Sequence, residues 1–283
     1  MKINILIINY QSRNLLEKCL LSINEDKIDF RIFILNNDRK DLVLPENLID
    51  KNINIINKGS NLGFSKGINY LIKNIPHSEY FFLLNPDATI SKNVIYDLYE
   101  SIKSNDDFAA ISPFIYDIND FLWFNYGHIN WSNYKIENKN ENFLNYNHKY
   151  EIDVFNGCAT LIKTSAFKKS GMFLDNLFMY YDEAFLSMSF KLNGYKIYCK
   201  KVGKITHNIS YSTKNNEHIK IFYMVRNGFY FFYKYNPFFK NRYILLNIYL
   251  YRSIYYIKKL KFFNFYIYYK ALFSSFIFIK KNK

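Results

Sequence analysis

Apolar positions along the first 112 residues follow two alternating rhythms. Short, largely apolar runs, INILII at 3–8, FRIFIL at 30–35, INII at 53–56, YFFLL at 80–84 and FAAIS at 108–112, have the length and residue types of buried strands. Between them, apolar residues recur every three or four positions. Leu15, Leu16, Cys19, Leu20 and Ile23 follow Ser12, and Val94, Ile95, Leu98, Tyr99 and Ile102 follow Ser91, with each serine placed as an N-cap. GFSKGINYLIKN reads as a loop entering a helix. Strand then helix, repeated, predicts an α/β fold: a mostly parallel sheet with helices on both faces. Sheets of this kind take ligands beyond the carboxyl ends of their strands, so Tyr10, Asn36 with Asn37, and Asp87 should share one rim.

The rhythm breaks between 113 and 150, a polar stretch rich in Asn and aromatic residues that reads as a long functional loop. Strand character returns in CATLIK at 158–163. DEAFLSMSFKLNG at 182–194 reads as a helix closed by Gly194, and YKIYC and KITH as two short strands. Beyond about 215 the chain becomes aromatic, basic and helical, which divides it into 1–215 and a C-terminal helical extension, 216–283.

Composition narrows the function. The chain of 283 residues is long enough for a full core, and 49% of it is hydrophobic. Its net charge of +14 comes with scattered basic residues in the early chain rather than a dense patch, which argues against a nucleic-acid partner. In the tail, aromatics alternate with Lys, as in YYIKKLKFFNFYIYYK, a pattern shared by helices that lie on anionic membranes and by packed caps with solvated lysines. Cys19, Cys158 and Cys199 are odd in number and widely spaced, which fits a reducing cytosol rather than a disulfide framework or zinc site. The N-terminal MKINILIINYQ is too short and too broken by Asn4 and Asn9 for a signal peptide. No run of about 18 apolar residues predicts a spanning helix. The expected location is cytoplasmic, with the inner face of the cell membrane as a peripheral site. The sequence sets no oligomeric state.

Seven motifs in order carry a resemblance: ILIINYQSRNLLEKCLLSI, FILNN, NKGSNLGFSKGIN, LLNPDATI, FNGCATLIKTSAFKKSGMF, FMYYDEAFLSMSFKLNGYKI and ITHNISYS. Together they resemble family 2 glycosyltransferases of the GT-A fold, a Rossmann-like sheet, and in particular a rhamnosyltransferase-like branch, over roughly 1–212. The resemblance implies transfer of a sugar from a nucleotide-diphosphate sugar, with inversion, to a glycan or lipid-linked acceptor in capsule or lipopolysaccharide synthesis. It maps the metal motif onto Asn85-Pro86-Asp87 and the late metal-contacting histidine onto His207. The acidic catalytic pair falls on Asp182-Glu183, in reversed order, and the nucleobase loop on Asn9 and Tyr10.

Each of these residues has a chemistry suited to that role and a plainer alternative. Asp87 could ligate Mg²⁺ or Mn²⁺, with Pro86 fixing the backbone before it; Asn-Pro-Asp is also good turn chemistry. Glu183 could deprotonate the acceptor, with Asp182 as the competing base; acids in a first helical turn also complement the helix dipole. His207 could complete the metal site. Gly63 and Gly67 allow close backbone approach near a helix start, Lys66 could meet phosphate charge, Tyr10 could stack on a base and Asn36 bond its edge, with Asn61 and Asn85 completing the donor-binding set. The family commonly has Asp at Asn36, and Asp and Arg where this chain has Phe185 and Ser189. Those departures admit a catalytically silent sugar-nucleotide-binding or glycan-binding subunit as the alternative, ahead of a nucleotidyltransferase or a nucleic-acid binder.

Overall fold

The computed structural model describes residues 2–48, 52–138, 148–208, 217–236 and 242–281. The largely apolar runs form strands, most of them buried along their length, with the one at Ile53–Asn57 half-exposed at the sheet edge. β1 (Lys2–Asn9), β2 (Asp29–Asn36), β3 (Ile53–Asn57) and β4 (Tyr80–Leu84) lie parallel in the order β3-β2-β1-β4. Register levels their tips: Asn9 stands opposite Asn36, and Asn36 opposite Asn57.

β11 (Ala159–Lys163) runs antiparallel between β4 and β6 (Phe108–Tyr116), and β12 (Lys196–His207) lies parallel to β6. β5 (Ala88–Ile90) and β10 (Lys149–Glu151) pair antiparallel with β12. The central sheet is therefore mostly parallel, as expected, with one antiparallel strand set into it. α1 (Arg13–Ser22), α2 (Phe64–Asn74), α3 (Val94–Glu100) and α4 (Thr164–Lys169) bury their apolar stripes in its main core.

Four local expectations change. Ser12 occupies the N-cap position of α1 but gives its hydroxyl to Asn9 Oδ1 at 2.9 Å instead of capping. Ser91 accepts the Lys204 N–H, and α3 is capped from outside: Glu25 takes the Ile95 and Tyr96 N–H groups at 2.8 and 3.2 Å. A carboxylate at a helix N-terminus also meets the dipole, which a serine hydroxyl does not. The stretch from 113 is not one loop. β6 continues to Tyr116, β7 (Leu122–Phe124) folds back on it, and β8 (Gly127–Asn130) pairs with β9 (Lys135–Asn138). The two late strands are a single β12, with a register shift between Lys200 and Ile205.

α5 (Asp182–Leu192), α6 (Glu217–Tyr235), α7 (Arg242–Lys258) and α8 (Phe262–Lys281) complete the chain. α8 is also a change from expectation: by length and composition it could cross a membrane, with mean hydropathy 1.3 over its best window. A second core joins α6, α7 and α8 to α5 and to β8–β9, through Phe229, Phe231, Phe232 and Leu272 on one side and Phe185, Ile129 and Tyr134 on the other. The expected boundary at 215/216 lies outside the described residues.

Candidate active site

The level tips of β1 and β2 form a polar rim. Asn9 and Asn36 are both buried, and the Asn9 amide donates to Asn36 Oδ1 at 2.9 Å. Asn36 in turn donates to the Lys40 carbonyl at 2.8 Å and to Asn57 Oδ1 at 2.9 Å. Much of their bonding capacity is thus spent on holding the rim together. The carboxylate missing at Asn36 stands two residues on: Asp38 accepts the Gln11 N–H on both oxygens at 3.1 Å and the Asn9 amide at 3.4 Å. A cavity of about 890 Å³ opens against this rim, lined by Tyr10, Arg13, Asp38, Arg39 and Asn61 among others. Asn61 caps the Gly63 N–H at 2.8 Å.

A second cavity of about 320 Å³ shares Tyr10, Asn37 and Asn61 with the first and extends to Gly63, Asn85, Pro86 and Asp87. β4 stops where Pro86 removes a donor, and the Asn85 N–H is tied to the Cys158 carbonyl at 2.8 Å. Antiparallel pairing of β5 with β12 sets Ala88 opposite His207, so that His207 Nε2 stands 3.1 Å from Asp87 Oδ1. The contact has ion-pair distance, and Asp87 Oδ1 makes no hydrogen bond; the other ring nitrogen, His207 Nδ1, is buried, and the Cys158 thiol also acts on the ring. Burial opposes charge on the imidazole, while Cys158 and Asp87 favour it, and its pKa is pushed up to about 10. Asp87 is the operative cause at neutral pH, since burial raises the Cys158 thiol and keeps it protonated.

Asp87 Oδ1 and the imidazole stand side by side and suit a divalent cation that would displace the ring proton on binding, its other positions filled by phosphate oxygen and water. Among the described residues there is no cluster of three or more His, Cys, Asp or Glu, so the protein would supply these two donors alone.

Asp182 and Glu183 open α5 and line neither cavity, but the Glu183 charge acts on the Cys158 thiol, as do Asp87 and His207. Asp182 is buried and accepts the Ser65 hydroxyl, whereas Glu183 is partly accessible. Burial and the Glu183 charge raise Asp182, against the pull of Ser65 and Arg226. Burial also raises Glu183, opposed by backbone N–H groups that include the one of Gly157. A Cβ at position 157 would sit on Glu183 Oε1, so glycine is required for the carboxylate to rest there. Gly157→Ala is expected to displace the carboxylate and lower kcat by roughly 10²-fold, with little change in melting temperature, because only a side-chain end has to move. Turnover and thermal denaturation of the variant check this.

The backbone before Asp182 is strained. Phe178, Tyr180 and Tyr181 have φ of 71°, 63° and 68°, a region costly for residues with a Cβ. α6 grips this loop. The Asn227 amide, fully buried, donates to the carbonyls of Leu177, Met179 and Tyr180 at 3.2, 2.8 and 3.0 Å. Arg226 donates to those of Leu177 and Asn176 at 2.8 and 3.3 Å.

Of the residues singled out from the sequence, Asn9, Tyr10, Asn36, Asn61, Gly63, Asn85 and Asp87 line the two cavities, with His207 packed against Asp87. Lys66 is exposed on α2 and lines neither. Phe185 lies away from the cleft, stacked on Tyr230 at 5.1 Å and edge-on to Phe231 at 5.2 Å. Ser189 bonds Tyr235. Asp38 and Asn227 lie outside the seven motifs; Ser65 and Gly157 lie within NKGSNLGFSKGIN and FNGCATLIKTSAFKKSGMF, but nothing local marks their part in holding the acids.

Strand tips that bring a polar rim and a carboxylate paired with an imidazole to two adjoining cavities are where doubly wound sheets handle nucleotides. The protein is a glycosyltransferase with a GT-A-like fold. Residues 4–171, more than half of its length, match the family described as Glycosyl transferase family 2, and the chain belongs to that family. Its fold is similar to that of the mannosyltransferase PcManGT from Pyrobaculum calidifontis in complex with GDP-Man and Mn²⁺ (TM-score 0.56, 10% identity, covering 96% of this chain and 74% of that one). It is also similar to S. aureus TarS 1-349 (TM-score 0.57, 14% identity, 88% and 71%). GalNAc-T7 with UDP, GalNAc and Mn²⁺ is a third (TM-score 0.56, 12% identity, 81% and 51%). No curated protein matches the chain in sequence.

Proposed function

We propose that this glycosyltransferase is inverting and metal-dependent, moving a hexose or deoxyhexose from a nucleoside diphosphate sugar to a glycan or lipid-linked glycan. The observation that carries the reading is Asp87 Oδ1, buried without a hydrogen-bond partner at the smaller cavity and 3.1 Å from His207 Nε2, with Glu183 near enough to act on the same Cys158 thiol. The Mn²⁺ in the PcManGT and GalNAc-T7 structures supports it. Asp87 and His207 would hold the cation, and the imidazole favours Mn²⁺ over Mg²⁺. When bound, the cation offsets diphosphate charge as the bond to the sugar breaks.

Glu183 takes the proton of the acceptor hydroxyl as its oxygen bonds the anomeric carbon, and the bond from that carbon to the diphosphate breaks on the opposite face. Gly157 and Ser65 hold the two acids in place. Tyr10 stacks on the base, and Asp38 accepts a ring N–H, at N3 of uracil or thymine or N1 of guanine, which cytosine lacks. The motif order that resembles the rhamnosyltransferase-like branch supports a surface polysaccharide, capsule or lipopolysaccharide, as the pathway. Three free, buried cysteines fit a cytoplasmic site.

The test is a screen of uridine, thymidine, guanosine and cytidine diphosphate sugars for binding and turnover, with and without Mn²⁺. Asp87→Ala is expected to lose Mn²⁺ binding by calorimetry at least tenfold and turnover by roughly 10²-fold or more. Unchanged Mn²⁺ affinity and turnover in the variant would overturn the metal assignment.

A further inference from the structure

Charge is divided unequally along this chain. Residues 1–217 hold 25 Lys and Arg against 24 Asp and Glu, while residues 218–283 hold 13 and none. The helices that carry this excess also carry an uncovered apolar surface. α8 buries Tyr268, Ala271, Leu272, Ser275 and Ile279, and it sets Phe276 and Phe278 against Phe229 and Tyr230 of α6. Its other side shows Tyr266, Tyr269, Phe273 and Ile277 to solvent, and α7 adds Tyr243, Tyr251 and Tyr255. Between the two helices Lys258-Lys259-Leu260-Lys261-Phe262-Phe263 is exposed at every position, with Leu260 at 76% and Phe262 at 62%.

We propose that this aromatic face and the tip between α7 and α8 dock on the surface of a bilayer containing anionic phospholipid. Charge complementarity selects the occupant. Lys258, Lys259, Lys261, Lys270, Lys280 and Lys281 are all exposed, and among the described residues only Lys261 has an acidic partner, Glu217 at 3.2 Å. Aromatic rings rest at headgroup depth while lysine ammonium groups reach the phosphates.

The helix lies on the membrane rather than crossing it. Lys270 sits near the middle of α8, and one face of the helix is already committed to α6. The tip also stands near the mouth of the cleft. Lys261 pairs with Glu217, Phe263 packs edge-on to His218 at 4.6 Å, and Ile219 one residue further lines the cavity that holds Asp87.

Co-sedimentation of the full-length protein with vesicles tests the proposal. Binding is expected to vesicles with about one-third phosphatidylglycerol and not to phosphatidylcholine alone, and raising the salt should weaken it. The double variant Lys258→Gln, Lys259→Gln should lower the partition coefficient roughly 30-fold. Leu260→Asn with Phe262→Ser should also lower it severalfold or more. All four positions are exposed, so the variants should keep the wild-type melting temperature and donor binding. Four results would each overturn the proposal: no vesicle binding, equal binding to both lipids, binding unaffected by either double variant, or a dimer that the same substitutions dissociate, which would assign the face to a second copy. Resistance to alkaline carbonate extraction would also overturn surface docking, in favour of insertion. Donor turnover on a soluble acceptor is read separately and does not depend on the outcome.

Discussion

Glu183→Gln is expected to lower kcat by roughly 10³-fold while raising the melting temperature at neutral pH. The amide keeps the shape of the side chain and can still accept the Gly157 N–H through its oxygen, but it cannot take a proton. The stability gain follows from linkage. Burial lifts Glu183 above the usual carboxylate range, and its charge lifts Asp182 in turn. A raised acid is stably folded when protonated, so its ionisation costs stability as pH climbs through the folded value. Gln removes that cost. The variant should therefore gain stability above the folded value and lose the advantage in acid. The wild-type pH–rate profile should show an acid limb displaced upward from ordinary glutamate, and the variant should lack it. Wild-type turnover in Glu183→Gln, or a melting-temperature difference indifferent to pH, would sink the base assignment.

Asn227→Ala is expected to cost about 2–4 kcal/mol of stability and roughly 10²-fold in kcat, with donor affinity within about twofold of wild type. The carbonyls of Met179 and Tyr180 lose the Asn227 donor, and that of Leu177 is left with Arg226. The loop they belong to holds three residues at positive φ and relaxes when the grip is lifted. Asp182 follows Tyr181 directly, so relaxation moves the acids. The donor rim is built on β1, β2 and the loop before α2, which Asn227 does not bond. The next residue shows how close the fit is: a Cβ on Gly228 would lie 2.7 Å from Tyr181 Oη and 2.8 Å from Tyr249 Oη. Arg226→Lys, which gives up part of the same support, should show a smaller loss of the same kind. Denaturation, calorimetry with the donor and turnover separate the effects. A full kcat from the folded fraction would reduce Asn227 to a stability role.

What could be read from the sequence was what each segment reports about itself. Largely apolar runs ending on Tyr10, Asn36 and Asp87 announced buried strands with functional tips, because only a covered strand is apolar on both faces. β8 and β9 escaped notice because β8 buries only Gly127 and Ile129 and β9 buries none of its four residues fully, so their polar residues read as loop. β12 looked like two strands because its irregularity falls on polar residues. Distant pairings were not legible at all. Nothing near Ser91 reveals that Glu25 will cap α3, and nothing near Asn227 names carbonyls some 50 residues earlier. The rim shows the same limit at short range. Asn36, Asn37 and Asp38 were equally eligible to face a ligand, and only the network through Asn9 and Asn57 decides which of them are occupied internally.

Phe185 lies three residues after Asp182, walled by Tyr230, Phe231 and Tyr235. One turn of α5 thus carries the acids and sets its ring against the C-terminal helices. A chimera of this sheet with the tail of a distant relative would seat that ring in a mismatched socket and tilt the acids, with every cleft residue still present. Accessory regions that plug into enzymes like interchangeable cartridges do not describe this tail. Substitutions in that socket are therefore expected to reach the acids through α5, and to be non-additive with substitutions of Phe185.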